Sequence, residues 1–468
     1  MVHFDPVELA RWCAGHWQGV VPARVEGVGN DSRHIEPGQL YVALRGERLD
    51  GHRFVAEALR RGAAAALVDE HYAANIGAAQ PLLVVADTGA ALSDLARGHR
   101  ARCRAMRVGV TGSVGKTSVK EMTADVLGRL GPVARTCGNW NNHIGLPLSL
   151  LRMQPDDRSG VFEVGMSRPG ELAPLCELLR PEHGILTPIG PAHLVNFTDQ
   201  AAIADEKATL LDALPAEGFA VLSVDDPWYG HLLQRVRSRL VRVSLEGREA
   251  DFNGVWDPAA QGVLTVQERE SGRTASYRMP LPGRYVADNA LRAVALGRLC
   301  GLAPEAIAQA LAGYRPPGMR WAVTSISGVD FINDAYNANP LSMRAALEAV
   351  QEQAAGRRTW LVLGGMYELG AQAHEAHREL GRFLAGRSWA GVVTFGSEGE
   401  WIADGARETG LPAGTQLVSC GDLAAVAEVL REQLVPGDLV LLKASRGAQL
   451  EGVLSLLSVR MTAPWVDL

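Results

Sequence analysis

Val108-Gly109-Val110-Thr111-Gly112-Ser113-Val114-Gly115-Lys116-Thr117-Ser118 reads as an apolar strand that runs into a glycine turn and then into a helix. The backbone N–H groups of such a turn cradle phosphate oxygens, the lysine reaches the β- and γ-phosphates, and the following hydroxyl can ligate Mg²⁺. Val110 stands five residues before Gly115, so the usual G-x-x-x-x-G-K-[ST] spacing is not met and the loop is a shortened T-G-x-x-G-K-T form. Gly112 to Ser118 are therefore candidate phosphate contacts, namely Gly112, Ser113, Val114, Gly115, Lys116, Thr117 and Ser118.

Outward from this loop the chain alternates strands with helices, which predicts an α/β fold with parallel sheets. Strands are expected over 106–110, 161–164, 184–189 and 219–224, and helices over 116–130, 228–237, 288–299 and 304–312. Residues 251–279 alternate and are rich in turns, so they are expected as a hairpin insertion. The first eighty residues form a smaller α/β pattern around a helix at 52–61. Pro316-Pro317-Gly318 breaks the chain before a second strand/helix series (329–332, 341–353, 360–363, 375–384, 391–395, 423–434, 439–442). Three domains are expected: 1–82, a central nucleotide-binding domain over 83–315, and a Rossmann-like domain over 316–468.

Composition narrows the class. The 468 residues suit several domains of ordinary size, and 47% hydrophobic with 21% charged residues excludes wholesale disorder. A net charge of −6 gives no basic field, so no nucleic-acid partner is expected. The first residues show no basic segment followed by an apolar run, and no stretch of about 18 uncharged apolar residues occurs, so neither export nor membrane embedding is expected. The six cysteines lie far apart without a C-x-x-C pair, which fits reduced thiols in the cytoplasm.

Only Lys116, Lys120, Lys207 and Lys443 are lysines among the 46 Lys and Arg residues. Arginine has replaced the generic surface lysine, so each survivor is a candidate for chemistry that a compact, deprotonatable amine can do. Glu163 and His193 fall at strand ends, where open α/β sheets bind ligands, and both could ligate magnesium. Asparagines cluster in two places, Asn139, Asn141 and Asn142 in one and Asn333, Asn337 and Asn339 in the other. Neutral amides suit phosphate, ribose and peptide recognition, and equally suit turns.

Taken together, T-G-S-V-G-K-T-S-V-K-E, G-N-W-N-N-H-I-G-L-P, Glu163, His193, Lys207 within Asp205–Thr209, Gly283-Arg284 with Asn289-Ala290, and Asn333 to Pro340 resemble the Mur ligases of peptidoglycan synthesis. The resemblance spans essentially the whole chain, including Asn30-Asp31-Ser32-Arg33 near the start. It implies ATP and Mg²⁺ as cofactors, and an activity that joins D-Ala-D-Ala to a UDP-N-acetylmuramoyl-tripeptide in the cytoplasm by a monomer. Residue by residue it implies that Asp31, Ser32 and Arg33 hold the UDP-sugar and that Lys116 and Thr117 meet the ATP phosphates and the first Mg²⁺. Glu163, His193 and Lys207 would complete the metal sites, and Asn289 would meet the adenine. Arg320 would reach the γ-phosphate, Asp334 the ribose, and Tyr336 would lie against the nucleotide. Asn139, Asn142, Asn337, Asn339 and Ser342 are further substrate candidates, and Lys116, Lys207, His193 and Glu163 the catalytic set. The chain departs from the family pattern at Tyr285, where histidine is common, at Gly365, where aspartate is usual, and at Ala444, where glycine is usual.

Two neighbours within the class remain as alternatives: the diaminopimelate- or lysine-adding ligase, and folylpolyglutamate synthase, which shares the short phosphate loop. The D-N-P-R motif of the diaminopimelate-adding enzyme is missing, since Asn339-Pro340 is preceded by Ala338 and followed by Leu341. The third residue of the tripeptide, diaminopimelate or lysine, stays open. A GTPase switch is disfavoured because no N-K-x-D motif occurs.

Lys207 carries its own expectation. An ammonium about 4 Å from a divalent ion at an effective dielectric near 20 is repelled by roughly 8 kcal/mol, twice the unit-charge figure. Carbamylation by CO₂ would turn the amine into an anionic oxygen ligand of the kind Mg²⁺ prefers.

Overall fold

The structure is a computed structural model that describes residues 2–46, 49–76, 80–259 and 262–460. Positions 260–261 of the expected hairpin and 461–468 of the expected third domain lie outside these. Three main sheets follow one another along the chain.

The first sheet has five strands in the order His16–Gln18, Leu82–Val85, Ala65–Asp69, Leu40–Val42 and Val28–Gly29, parallel except for the first. Leu82–Val85 belongs to this sheet, so it runs past the boundary expected at 82. The long helix Thr88–Arg102, capped by Asp87, then crosses to the central unit. There His99 Nε2 lies 2.8 Å from the carbonyl of Met153, and Arg100 donates to the carbonyls of Glu177 and Leu178. The apolar side chains of both units merge into one core, with Leu92 and Leu95 of this helix packed among Leu83, Leu148 and Leu186.

The central sheet has nine strands. Six run parallel, in the order Arg239–Ser244, Phe219–Ser223, His183–Leu186, Met106–Thr111, Ser159–Glu163 and Val133–Arg135. The inner strands Phe219–Ser223, His183–Leu186, Met106–Thr111 and Ser159–Glu163 are buried over most of their length, as parallel strands covered by helices are, while Val133–Arg135 at the edge is half-buried. The 251–279 segment does not interrupt this sheet. Its strands Phe252–Asp257, Val263–Glu268 and Thr274–Arg278 extend the edge, Phe252–Asp257 as a seventh parallel strand beside Arg239–Ser244 and the other two each antiparallel to the strand before it. Helix Lys116–Leu127 packs against helix Arg284–Leu299. The expected helix 228–237 forms only over Tyr229–Leu233.

The third sheet has six strands, ordered Ala322–Ile326, Val329–Asn333, Leu439–Lys443, Thr359–Leu363, Gly391–Phe395 and Gln416–Cys420, with only the first pair antiparallel. The fold is thus the expected α/β arrangement of a parallel-sheet nucleotide-binding unit between a small α/β unit and a Rossmann-like one. Among the described residues, no helix is long and apolar enough to cross a membrane.

Candidate functional site

Strand Met106–Thr111 sits where the central sheet's connections diverge, with Ser159–Glu163 on one side and His183–Leu186 on the other. Loops at the carboxyl ends of such strands leave a crevice between them. The phosphate loop fills it because two glycines allow what no other residue could. At Gly112, φ is +148° and a Cβ would stand 2.0 Å from Thr187 Oγ1 and 2.6 Å from its carbonyl oxygen. At Gly115, φ is +87° and a Cβ would stand 2.5 Å from Asn289 Oδ1, so the Asn289 amide lies directly against the loop. The helix Lys116–Leu127 starts at once after Gly115, which aims its free N–H groups into the crevice.

Lys116 folds back on this loop, donating from Nζ to the Gly112 carbonyl at 2.9 Å. Burial pushes its amine below the ordinary lysine range; Glu163 opposes that shift and Arg320 adds to it. The Thr117 hydroxyl donates to Glu163 Oε2 at 2.6 Å, while Asn141 Nδ2 donates to the other carboxylate oxygen at 2.6 Å. Thr136 Oγ1 accepts the Glu163 backbone N–H at 2.9 Å. The fully buried Lys120 ties down the same loop by donating to the carbonyls of Thr136, at 2.7 Å, and Gly138, at 3.2 Å. Glu163 is therefore an oriented, buried carboxylate rather than a surface acid.

The third unit forms the facing wall. Arg320 Nη2 donates to the Thr117 hydroxyl at 3.0 Å, and its guanidinium lies over the Tyr336 ring, 3.7 Å from the centroid. Asp334 accepts from the Trp321 backbone N–H at 3.1 Å and pairs with the buried Lys443 ammonium, which also donates to the Asn337 carbonyl at 3.3 Å. Asn339 and Ser342 form a reciprocal capping box on helix Pro340–Ala354, so their polar atoms serve that helix even though both line the wall. Asn142 likewise accepts from the N–H groups of Ile144 and Gly145.

These walls enclose a cavity of about 430 Å³. Of the residues singled out in the sequence, Ser113 to Ser118, Asn139, Asn142, Glu163, His193, Asn289, Arg320, Asp334, Tyr336, Asn337, Asn339 and Ser342 line it. Gly112 contributes its carbonyl to Lys116 just behind the lining. His193 meets the Glu368 carboxylate of the third unit through Nδ1.

Lys207 lies in helix Gln200–Asp212, is fully buried and does not reach the lining. Burial holds its amine well below the ordinary lysine range, Lys116 lowers it further, and Glu206 and Glu163 oppose the shift. Among the described residues, no carboxylate pairs with it.

Asp31, Ser32 and Arg33 are not brought to this cavity. They sit on the first unit, where Asp31 caps a short 3₁₀ turn, Ser32–His34. Arg33 forks onto the Asp31 carboxylate from Nε at 2.9 Å and Nη2 at 2.7 Å, holding that carboxyl well below its usual range. Arg61 anchors the turn by donating to the Arg33 carbonyl at 3.0 Å.

Several residues at the site were not picked out as site residues in the sequence, among them Asn141, Lys443, Trp321 and Glu368. Asn141 stood in a quoted cluster and Lys443 among the scarce lysines, so each had a signal. Glu368 stood in the family-like segment that Gly365 interrupts, Gly364 to Gly370, and Trp321 had no signal, because its role comes from tertiary contacts. The donor set of Thr117 and Glu163 offers hard oxygens, which suits Mg²⁺. Among the described residues no cluster of three or more His, Cys, Asp or Glu side chains stands together as a metal site.

Three stretches of the chain match protein-family models: Mur ligase family, catalytic domain, over 24–100; Mur ligase middle domain over 110–297; and Mur ligase, glutamate ligase domain, over 319–446. The UDP-N-acetylmuramoyl-tripeptide–D-alanyl-D-alanine ligase of Bacillus subtilis is 35% identical over 431 residues, 92% of this chain and 92% of that protein. The Treponema pallidum enzyme of the same name is 37% identical over 92% of this chain and 94% of its own. Among solved structures, MurF from Acinetobacter baumannii superposes with a TM-score of 0.86 at 27% identity, covering 98% of this chain and 100% of that one. MurF ligase from Thermotoga maritima in complex with ADP gives 0.79 at 28% identity over 94% and 98%.

Proposed function

This chain belongs to the Mur ligase family, and from that premise we propose that its cavity joins D-Ala-D-Ala to UDP-N-acetylmuramoyl-tripeptide at the expense of ATP. A carboxylate does not condense with an amine at neutral pH. ATP phosphorylates the tripeptide's terminal carboxylate, the dipeptide's amine attacks the resulting acyl phosphate, and phosphate leaves as the amide forms. The protein's part is positioning and charge neutralisation. The single observation that carries this reading is the Arg320–Thr117 hydrogen bond, which sets a third-unit cation onto the phosphate loop of the central unit.

The loop N–H groups from Ser113 to Thr117 and the Lys116 ammonium hold the phosphates. Asn289, against Gly115, and Asp334 and Tyr336 on the opposite wall hold the nucleoside. Asn139, Asn142, Asn337, Asn339 and Ser342 face the peptide side of the cavity, and the turn at Asp31 to Arg33, with Ser32 buried and Arg33 exposed, holds the UDP-sugar. Thr117, Glu163, His193 and Lys207 as its carbamate would hold Mg²⁺, which when bound neutralises phosphate charge. Thr117 and Asn141 fix the two Glu163 oxygens, and the depressed amine of Lys207 is the form able to attack CO₂. The divisions near 82–85 and 315 define three domains. A monomer working in the cytoplasm, where ATP and UDP-linked substrates are found, completes the proposal.

ADP release measured with purified UDP-muramoyl-tripeptide, with and without D-Ala-D-Ala, tests the proposal. Release that requires both substrates, with amide formed in equal amount, is the expected result. Equal turnover with diaminopimelate or lysine on the dipeptide precursor would overturn it.

A further inference from the structure

Beyond strand His183–Leu186 the chain runs past the phosphate loop, and Ser113 clasps it there. The Ser113 hydroxyl donates to the Gly190 carbonyl at 2.9 Å and accepts from the Gly190 N–H at 3.0 Å. Asp226 accepts from the neighbouring Ile189 N–H at 3.0 Å, so the segment is fixed twice to the central unit. Gly190 is buried, and what lies nearest its missing side chain belongs to the third unit: a Cβ there would be driven into Leu341 Cδ1 and stand 2.9 Å from Leu341 Cγ. Leu341 follows Pro340 at the start of helix Pro340–Ala354, inside the Asn339–Ser342 capping box, so its backbone is firmly held. Its side chain is 38% exposed and takes no part in the third unit's core, which the helix builds from Met343, Ala346, Leu347 and Val350. A lone exposed leucine ordinarily needs no explanation. This one lodges in a notch that only glycine leaves open.

We propose that Leu341 is a positioning residue: lodged against Gly190, it sets the third unit in register with the phosphate loop, so that Arg320, Asp334 and Tyr336 meet a nucleotide held there. The inference rests on the ligase reading of the cavity given above. The Arg320–Thr117 hydrogen bond by itself defines that register poorly, because a long side chain can reach its partner through several rotamers. Interlocking apolar shapes pack closely in far fewer ways. Ser113 holds Gly190 from one side and Leu341 presses on it from the other, so the seated third unit also buttresses the loop. Misplacing reacting groups by about 1 Å can cost on the order of 10²-fold in rate, so a stop one methyl group deep is large enough to matter.

A double-mutant cycle in the full-length chain tests this. Leu341→Ala and Gly190→Ala should each slow turnover about 10-fold at saturating substrates, the first by emptying the notch and the second by filling it. Leu341→Met, which still reaches the notch, should keep most of the rate. Thermal unfolding should change little in Leu341→Ala, and alanine suits the Gly190 backbone, whose φ lies outside the left-handed region. In the double variant the added methyl group takes the space the leucine has left, so turnover should equal or exceed that of Gly190→Ala alone. Losses that simply multiply, to about 100-fold, would overturn the proposal. Amide exchange of 113–118 follows the same cycle without substrates: each single variant should exchange faster and the double variant should recover, whereas wild-type exchange in both single variants would overturn the proposal. A wild-type chain that releases no ADP with UDP-muramoyl-tripeptide and D-Ala-D-Ala removes the ligase reading, and the exchange cycle then decides the Leu341–Gly190 coupling on its own.

Discussion

Arg320 and Thr117 lie 203 positions apart in the chain, yet the Arg320 guanidinium donates to the Thr117 hydroxyl at 3.0 Å while resting on the Tyr336 ring. The hydroxyl gives its own hydrogen to Glu163, so it accepts from one unit and donates within another. Arginine's planar fork can stack and donate sideways at once, and lysine's point charge cannot. Arg320→Lys should therefore fold normally but lose turnover by on the order of 10²-fold, most of it in kcat. Single-turnover rates measured at saturating ATP check this, and a KM effect alone would count against a role in the reacting complex.

Lys116→Ala removes the ammonium from the half-buried loop and leaves the Gly112 carbonyl to water. The cost to stability should be about 1 kcal/mol, whereas losing a charge beside the transferring phosphate should lower turnover by on the order of 10²-fold or more. Thermal unfolding and ADP release on the same preparation separate the two effects. Near-normal turnover would sink the phosphate-loop assignment.

Gly115→Ala should be worse for the loop than for the fold as a whole. Its φ of +87° disfavours any Cβ, and that Cβ would meet Asn289 Oδ1 at 2.5 Å. A loss of about 1–3 kcal/mol is expected from backbone strain, with weaker ADP binding because Asn289 must move. Isothermal titration with ADP and a denaturant melt give both numbers; unchanged ADP affinity would mean that Asn289 does not contact the nucleotide.

Much of this architecture was legible where the physics is local. Gly112 and Gly115 are required by backbone geometry, so the phosphate loop stood out even with non-standard spacing. The scarce lysines turn out not to be solvated surface cations: Lys120, Lys207 and Lys443 are all buried, and Lys116 lines the cavity. Helix Thr88–Arg102 escaped notice because buried His99 and Arg100 look like surface residues in a hydrophobic pattern. Helix Ser397–Thr409 escaped for another reason. It packs on Ala373–Leu384 through glycines, with a Cβ at Gly381 or Gly405 only 2.0 Å from backbone oxygen of the other helix, so close approach replaced the apolar stripe. The Asp334–Lys443 and His193–Glu368 pairs join segments over 100 positions apart, and no spacing rule reaches that far.

The isolated segment ending at Tyr314 should release no ADP in response to D-Ala-D-Ala, because Arg320, Asp334 and Tyr336 all lie beyond it. The Pro316 to Gly318 link, with Gly318 at φ +62°, is the natural place for the third unit to swing. Gly318→Pro, which fixes φ near −65°, should slow turnover more than it weakens nucleotide binding. Full-rate amide formation by the truncated segment would refute the three-domain mechanism.

Lys207 gives the last prediction. Its amine is buried, unpaired among the described residues and pushed well below the ordinary lysine range, first by burial and then by Lys116. For the unmodified chain the sign of the linkage is clear. The unfolded state holds the proton more tightly, so the lysine costs stability below its folded value, and that cost disappears as pH rises toward about 10.4. Burial favours the neutral amine, and the neutral amine is a nucleophile: it can add to CO₂, lose a proton and become a carboxylate on a long arm, which ends both the burial penalty of an ammonium and its repulsion from Mg²⁺. Stripping CO₂ should therefore lower activity at neutral pH, and bicarbonate should restore it. Lys207→Ala and Lys207→Arg should both be nearly inactive, the first partly rescued by a short carboxylic acid that enters the vacated space and the second not, since guanidinium fills the space and cannot carbamylate. Full activity in Lys207→Arg, read by ADP release under CO₂-free conditions, would rule out the carbamate.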